Sequence, residues 1–157
     1  MVQRLVLPLS VRIGRWLSLV WGVVLALALF VRYVWLPAII PIHWNLWGEV
    51  DDYGGRWVVF LLAGIVLVLT IGMFALSFYP QYFDYPVEVT EENAPRVYCE
   101  GVCCVVWVTL AVQLLFSVLF FDFFGGRAPS WLLWVGIVLP IILIPIFYWR
   151  MKRAGRS

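Results

Sequence analysis

Charged residues divide this chain into four long uncharged stretches, and this pattern constrains the fold more than any other feature of the sequence. The stretches cover residues 16–31, 57–83, 101–121 and 128–149. A helix needs roughly 20 apolar residues to cross a hydrocarbon core of about 30 Å, so the last three are each long enough to span a membrane. The first is long enough if its helix continues to Leu36 and the charged end of Arg32 reaches outward.

Composition supports a membrane protein, because 64% of the residues are hydrophobic and only 13% are charged. A typical soluble domain has about 25% charged residues. Hydrocarbon offers the backbone no hydrogen-bond partners, so the spans must be helices. We therefore predict an all-α fold, an integral membrane four-helix bundle that forms a single transmembrane domain over residues 1–157. The predicted helices cover about 16–36, 57–79, 101–122 and 131–149, with an ordered outer loop at 37–56 and a cytoplasmic loop at 80–100.

The distribution of Lys and Arg predicts the orientation of the bundle, since these residues are enriched in cytoplasmic segments. Three arginines lie on one side of the predicted spans, namely Arg32, Arg56 and Arg127. The other side carries the remaining basic residues, which are Arg4, Arg12, Arg15, Arg96, Arg150, Lys152, Arg153 and Arg156. We predict a multi-pass protein with both termini in the cytoplasm and the lipid bilayer as its main partner. No basic-aromatic pattern typical of nucleic-acid binding is present.

The predicted outer loop contains the densest polar cluster outside the terminal segments, including the only histidine of the chain. The candidate binding residues are His43, Trp44, Asn45, Gly48, Glu49, Asp51, Asp52, Tyr53 and Arg56. Two interpretations stay open: these side chains hydrogen-bond the loop backbone and fix its fold, or they surround an ion at His43 and Asp51. We predict no metal or other cofactor, because one histidine beside carboxylates is a poor zinc ligand set. An outer-face enzyme or metal-dependent accessory factor, and a structural subunit of a larger membrane complex, are the alternative functions.

Three polar residues fall within or at the ends of the predicted spans. Arg32 and Asp122 lie at the outer ends of the first and third helices, where an unpaired charge is costly. We predict that they approach each other or that Arg32 reaches a loop carboxylate, with separate contacts to the interface as the alternative. Gln113 is central in the third helix, where Thr109 and Ser117 extend a polar stripe that predicts interhelical hydrogen bonds or a polar path.

The predicted cytoplasmic loop contains a helix-start signal. Thr90 is placed as an N-cap, and Asn93 stands where a capping box has Glu or Gln. Arg96 and Glu100 are four residues apart and are expected to pair on the helix that follows. Thr90, Asn93 and Arg96 form a candidate cytoplasmic contact site.

Two motifs resemble those of a known family. The first consists of Leu36-Pro37, Ile40-Pro41-Ile42-His43-Trp44-Asn45, Gly48, Asp51, Tyr53-Gly54 and Arg56, and the second of Tyr85-Pro86, Thr90, Glu92-Asn93-Ala94 and Arg96. They resemble a bacterial membrane-protein family of unknown function whose domain also forms the N-terminal part of SdpI-like toxin-immunity proteins. That family usually has Lys in place of Arg56. Its SdpI-like members carry a further helical domain with its own motif, and residues 101–157 contain no such motif.

The resemblance implies a small protein of the bacterial plasma (inner) membrane with a non-catalytic binding, immunity or signalling role. It implies a peptide toxin or another membrane protein as the partner of the outer loop, and it leaves a homo-oligomer open. Enzymatic function has little support in the sequence, because the chain has no His-Glu-x-x-His, Gly-x-Ser-x-Gly or phosphate-loop motif.

Overall fold

A computed structural model describes residues 6–45, 47–126 and 128–156, and this part of the chain is mostly helical. It contains four α-helices that are each long and apolar enough to cross a membrane. A short antiparallel β-hairpin, formed by β1 (Ile39–Trp44) and β2 (Val50–Gly55), connects the first two helices. The helices are α1 (Leu9–Arg32), α2 (Val58–Leu76), α3 (Ala94–Phe121) and α4 (Ser130–Arg156).

The helices cover the predicted spans, but their ends differ from the prediction. Helix α1 begins at Leu9 and ends at Arg32, α2 ends at Leu76, α3 begins at Ala94 and α4 ends at Arg156. An uncharged stretch predicts only the part of a helix that can lie in hydrocarbon. A helix continues past the membrane interface where its charged side chains reach water, so the uncharged stretches underestimate three of the four described helices.

The all-α prediction placed an ordered outer loop at 37–56, and residues 39–55 of this loop form the hairpin, so the described chain is mostly but not entirely helical. Side chains on a strand alternate between two faces. Ile40 is buried and Ile42 and Trp44 pack beside it, whereas Ile39 and His43 on the opposite face are exposed. One apolar face of the hairpin is therefore packed against the helices, and the other is open.

Helix α4 runs without a break through Pro140 and Pro145. These prolines predict either a kink or a local break, and the described helix shows no break. Proline is tolerated in membrane-spanning helices because neighbouring groups and small local adjustments satisfy the backbone that it frees.

Two buried clusters lie at opposite ends of the bundle. The cluster beside the hairpin, at what we call the hairpin end, joins α1, β1, α2 and the end of α3 through Ala26, Leu29, Leu36, Ile40, Val59, Ala63, Val66, Phe120 and Phe123. The other cluster, at the terminal end, joins the start of α1 to α3 and α4 through Val11, Val102, Cys103, Val106 and Phe147. The start of α1 and the end of α4 therefore lie at the same end of the bundle.

Small residues recur every fourth position along the buried face of α1, at Gly14, Ser18, Gly22 and Ala26. This spacing places them on one helix face, and small residues on such a face allow helix backbones to approach closely in a membrane. Helix α1 packs against both α2 and α3, while α4 packs mainly against α3.

Candidate functional site

Asn45 organises the turn of the hairpin. Its side-chain Oδ1 accepts hydrogen bonds from the backbone N–H groups of Trp47 and Glu49, each at 2.9 Å, and its Nδ2 donates to Glu49 Oε2 at 3.0 Å. The backbone N–H of Asn45 donates to the Glu49 carbonyl at 2.9 Å and closes the turn. An asparagine that hydrogen-bonds the backbone just ahead of it is a common means of fixing a turn.

Gly48 completes this turn with a φ of 79°, a backbone conformation that disfavours residues with a Cβ. A Cβ added at this position would lie 3.3 Å from the Cβ of Ser130, the first residue of α4. Gly48 therefore provides both the bend and the close approach of the hairpin tip to α4.

His43 and Asp51 form a hydrogen-bonded pair across the two strands. The distance between His43 Nδ1 and Asp51 Oδ1 is 2.5 Å, and the side chains are 67% and 42% exposed. With its Nδ1–H donated to the carboxylate, the imidazole presents Nε2 away from Asp51. The pair thus offers one oriented ring nitrogen on the open face of the hairpin.

The exposed side chains of the hairpin are acidic and aromatic. Glu49, Asp51 and Asp52 are all exposed. Trp47 and Tyr53 are 77% and 61% exposed, respectively. Large aromatic side chains of this kind are enriched where a membrane protein meets the membrane–water interface.

Two arginines hold together the chain segments at the hairpin end of the bundle. Arg56 donates from Nη1 to the carbonyl of Leu36 at 3.0 Å, and its guanidinium lies 4.9 Å from the centre of the Tyr33 ring. Its backbone N–H donates to the carbonyl of Ala38 at 3.0 Å. Arg56 therefore joins the end of β2 to the segment that enters β1.

Arg32 donates from Nε to the carbonyl of Phe123 at 2.8 Å, so it reaches the backbone next to Asp122. The predicted partner of Arg32, the Asp122 side chain, lies outside the part of the chain that the structure describes. This hydrogen bond to a backbone carbonyl just after α3 links the end of α1 to the end of α3 at the hairpin end of the bundle.

A cavity of about 240 Å³ lies beneath the hairpin. Its lining residues come from the hairpin, α2 and the end of α3 and the turn after it, and they are Ile42, His43, Trp44, Leu62, Phe116, Leu119, Phe120 and Phe123. Apart from His43, whose ring pairs with Asp51 on the open face, the lining residues are apolar. The cavity therefore accepts an apolar group.

Metal ligands do not gather at the hairpin. Within residues 6–45, 47–126 and 128–156, no group of three or more His, Cys, Asp or Glu side chains is arranged to hold a metal ion. The His43–Asp51 pair supplies two ligands at most, and protein zinc sites take three or four.

Thr90 and Asn93 form the reciprocal pair typical of a capping box before α3. The N–H of Thr90 donates to Asn93 Oδ1 at 2.9 Å, and the N–H of Asn93 donates to Thr90 Oγ1 at 3.3 Å. Asn93 also donates to the carbonyls of Glu88 and Gly155 at 3.1 and 3.4 Å. Asn93 is thus buried and engaged inside the protein, whereas Thr90 and Arg96 are exposed.

The spacing along the chain predicts an ion pair between Glu100 and Arg96. In the structure, Glu100 pairs instead with Arg150 of α4, at 2.8 Å. A second contact of 2.9 Å joins the same two side chains. The pair connects α3 and α4 at the terminal end. Spacing therefore predicted a partner for Glu100 on its own helix, whereas the actual partner lies on the neighbouring helix.

Tyr85 holds the loop between α2 and α3 against the start of α3. Its hydroxyl donates to the carbonyl of Pro80 at 2.9 Å, and a Cβ at Gly101 would lie 2.7 Å from that hydroxyl. Burial raises the pKa of Tyr85 above its ordinary value of 10.0, and the neighbouring Tyr98 raises it further. The hydroxyl therefore stays protonated, as its donated hydrogen bond requires.

Gln113 joins three helices in the middle of the bundle. Its Nε2 donates to the backbone carbonyl of Ser18 in α1 at 2.8 Å and to Thr70 Oγ1 in α2 at 3.0 Å. Thr109, another member of the predicted stripe, donates to Val105 O of its own helix at 2.6 Å. Ser117 donates to Gln113 O at 2.7 Å and accepts from Trp21 Nε1 of α1 at 3.0 Å, so it also joins α3 to α1. The sequence analysis did not identify Ser18 or Thr70 as partners of Gln113. The repeat of small residues on α1 is the sequence signal that indicates a packed helix face containing Ser18.

The segment from α1 through the hairpin into α2 carries the best-defined site geometry, and it is also the segment with a known counterpart. Residues 19–67 match a domain of unknown function (DUF1648). The DUF1648 match includes His43, Asn45, Asp51 and Arg56, so the hairpin and parts of both helices that anchor it lie within the match. No curated protein and no solved structure matches the chain.

Proposed function

We propose that this chain is a multi-pass protein of the bacterial inner membrane that uses its hairpin to bind a cationic peptide, in a non-catalytic immunity or signalling role. The observation that carries the proposal is the His43–Asp51 pair, held on the open face of a hairpin that is fixed by Asn45 and Arg56. A rigid element that presents polar groups to solvent is suited to recognition.

The chemistry of the hairpin supports a basic, partly apolar partner. Glu49, Asp51 and Asp52 are exposed, whereas Arg56 is turned inward to a carbonyl and to Tyr33. An acidic surface attracts a cationic partner and accelerates its association. The cavity of about 240 Å³ below His43 would accept one apolar side chain of that partner.

The placement of basic residues supports an orientation with the hairpin outside the cell. Arg12, Arg15, Arg150, Lys152 and Arg153 all lie towards the terminal end. Lys and Arg are enriched on the cytoplasmic side of membrane proteins. Arg4 and Arg127 lie outside the described residues.

A charge-removal experiment with a matched control tests this function. The gene is deleted from its host, and the strain is challenged with the cationic peptides that the host secretes. We expect the natural chain to restore resistance and the triple variant Glu49→Gln, Asp51→Asn, Asp52→Asn to fail. The control removes three exposed carboxylates from the loop between α2 and α3, by Asp84→Asn, Glu91→Gln and Glu92→Gln, and should restore resistance fully.

Equal resistance from both triple variants, at equal protein abundance in the membrane, would exclude the acidic hairpin face as the recognition surface. Unchanged sensitivity of the deletion strain would exclude an immunity role. A single variant, His43→Ala, then tests whether the oriented imidazole contributes beyond charge, and we expect it to weaken protection while leaving the three carboxylates in place.

A further inference from the structure

An apolar groove of about 650 Å³ runs along α1, in the part of the helix nearer the hairpin. It is lined by Val24, Leu27, Ala28 and Val31, and by Arg32, Trp35 and Phe124. The first four share one face of α1, because residues three and four positions apart are neighbours on a helix surface. Val24, Leu27 and Val31 are exposed, whereas Ala28 between them is half-buried. The small side chain of Ala28 therefore leaves space between its larger neighbours.

The depth of the groove follows from its position on α1. This helix is long and apolar enough to cross a membrane, and the step from Val24 to Arg32 covers about 12 Å of its axis, at roughly 1.5 Å per residue. Trp35, which follows Arg32, is 64% exposed, and exposed tryptophans are enriched at the membrane–water interface. The groove therefore extends from a charged group near the interface into the hydrocarbon.

Arg32 supplies the charge among the described lining residues of this groove. Its side chain is half-buried, and its Nε donates to the carbonyl of Phe123. Within the described part of the chain, no hydrogen bond or ion pair uses Nη1 or Nη2 of Arg32. Neither nitrogen is among the buried polar atoms that lack a partner, so both are accessible. The guanidinium therefore presents two donor groups at the hairpin end of the groove.

These features favour a molecule with an anionic head and an apolar tail. Arginine binds phosphate through two parallel N–H···O hydrogen bonds, for which its planar guanidinium is well suited. A tail attached to that phosphate would lie along Val24, Leu27 and Val31, which are exposed and apolar. An anionic phospholipid of the surrounding bilayer has both groups in one molecule, and its charge is complementary to that of Arg32.

We propose that this groove binds one acyl chain of an anionic phospholipid, whose phosphate accepts hydrogen bonds from Nη1 and Nη2 of Arg32. The site lies on an exposed face of α1 and uses none of the hairpin residues, so it stands or falls independently of the peptide-binding role.

Photolabelling in vesicles tests this site. The purified full-length chain is placed in phosphatidylcholine vesicles that contain a trace of a phospholipid with a diazirine on one acyl chain. Two such probes are compared, a phosphatidylglycerol and a phosphatidylcholine, which carry the same labelled chain and differ only in the headgroup and its charge. Mass spectrometry measures the labelling of Leu27 and Val31 relative to Leu61, a residue of α2 that is 55% exposed and lies outside the groove.

We expect the phosphatidylglycerol probe to label the groove, relative to Leu61, about fivefold more than the phosphatidylcholine probe does, as one arginine near the membrane surface favours an anionic lipid by about that factor. Arg32→Gln should remove this preference, whereas Arg12→Gln, which removes an exposed arginine at the terminal end, should retain it. Ala28→Phe fills the groove and should reduce its labelling by both probes. Ala75→Phe makes the same change at an exposed position of α2 outside the groove and should behave like the natural chain.

Equal labelling ratios for the two probes would overturn the proposal and would mean that ordinary bilayer lipid surrounds α1. An unchanged preference in Arg32→Gln, or full labelling of the groove in Ala28→Phe, would overturn it as well. Protection of Val31 from both probes would mean that a second protein chain covers the groove, and a preference seen only in Asp122→Asn would assign the charge of Arg32 to Asp122. Either result would exclude the lipid phosphate. If Arg32→Gln fails to fold, Arg32→Lys replaces it and should lose part of the preference, because lysine keeps the charge but lacks the planar fork.

Discussion

Gly22 of α1 lies so close to Thr70 of α2 that a methyl group at Gly22 would overlap the Thr70 hydroxyl. The same methyl group would lie 2.6 Å from Gln113 Nε2, which hydrogen-bonds Thr70. The absence of a side chain at Gly22 is therefore what allows one amide on α3 to reach both neighbouring helices. The contact between the three helices therefore depends on glycine at position 22 as much as on the polar groups that form the hydrogen bonds.

Replacing Gly22 with alanine should destabilise the bundle. The added methyl group forces the helices apart, and overpacking of this kind costs about 1–3 kcal/mol. Gly64→Ala is the matched control, because a Cβ added at Gly64 would have no other described residue's atoms within 4 Å beyond its own helical turn. Gly64→Ala should be neutral or stabilising by up to about 1 kcal/mol, since alanine favours helices. Unfolding in mixed micelles measures both, and equal stability of the two variants would contradict the packing argument.

Replacing Asn45 with alanine should loosen the hairpin without unfolding the helices. The change removes the acceptor of two backbone N–H groups and the donor to Glu49, with an expected loss of about 1–3 kcal/mol of local stability. Asn45→Asp keeps the acceptor but would set a carboxylate against that of Glu49, so it is combined with Glu49→Gln, and this double variant should retain more protection than Asn45→Ala. Hydrogen exchange of the hairpin amides measures the difference, and similar exchange in both variants would show that the turn does not depend on Oδ1.

Arg56→Ala should free the end of β2 from the segment that enters β1. A hydrogen bond from a charged donor contributes about 1.5–3 kcal/mol, so amides of residues 39–55 should exchange about tenfold faster or more. Arg96→Ala, at the opposite end of the bundle, removes an exposed arginine and should leave these amides unchanged. Unaltered exchange in Arg56→Ala would mean that the apolar face alone holds the hairpin in place.

The stability of the natural chain should fall at alkaline pH because of Tyr85. Its pKa is raised in the folded protein, so its contribution is complete below pH 10.0 and is lost as the pH rises above that value. Tyr85→Phe should therefore show a shallower decrease of unfolding free energy from about pH 10 upward. Tyr82→Phe alters a tyrosine that is 77% exposed and should follow the natural chain. Identical pH profiles for all three proteins would contradict the role of the buried phenol.

The sequence predicts the membrane spans well because hydrocarbon excludes charge along every residue of a crossing helix. It predicts their ends poorly, since Arg12 and Arg15 are compatible with a helix that has left the hydrocarbon. The hairpin was predicted only as an ordered loop. Proline in β1 and two terminal glycines in β2 conceal its short strands, although Ile40, Ile42 and Trp44 show the alternation of a half-buried strand.

Site residues were easier to find than their partners. Spacing along α3 identified Gln113 as a polar residue facing other helices, but nothing in α3 itself points to Ser18 or Thr70. Glu100 shows the same limit, because spacing suggests Arg96 and the structure pairs it with Arg150. A periodicity defines which face a side chain occupies, whereas the partner depends on how whole helices are placed. The Thr90–Asn93 pair is local in sequence, and its hydrogen bonds follow the capping pattern expected from the residues alone.

The hydrogen bonds of Gln113 also bear on the order in which the protein is made. Ser18 in α1 and Thr70 in α2 precede Gln113 in the chain, so the ribosome makes both acceptors before the amide that bonds to them. A glutamine that arrived first would wait in hydrocarbon with its amide hydrogens unpaired. Because Gln113 is synthesised last of the three, both acceptors of its amide nitrogen already exist when α3 is made, so the order of synthesis suits this contact.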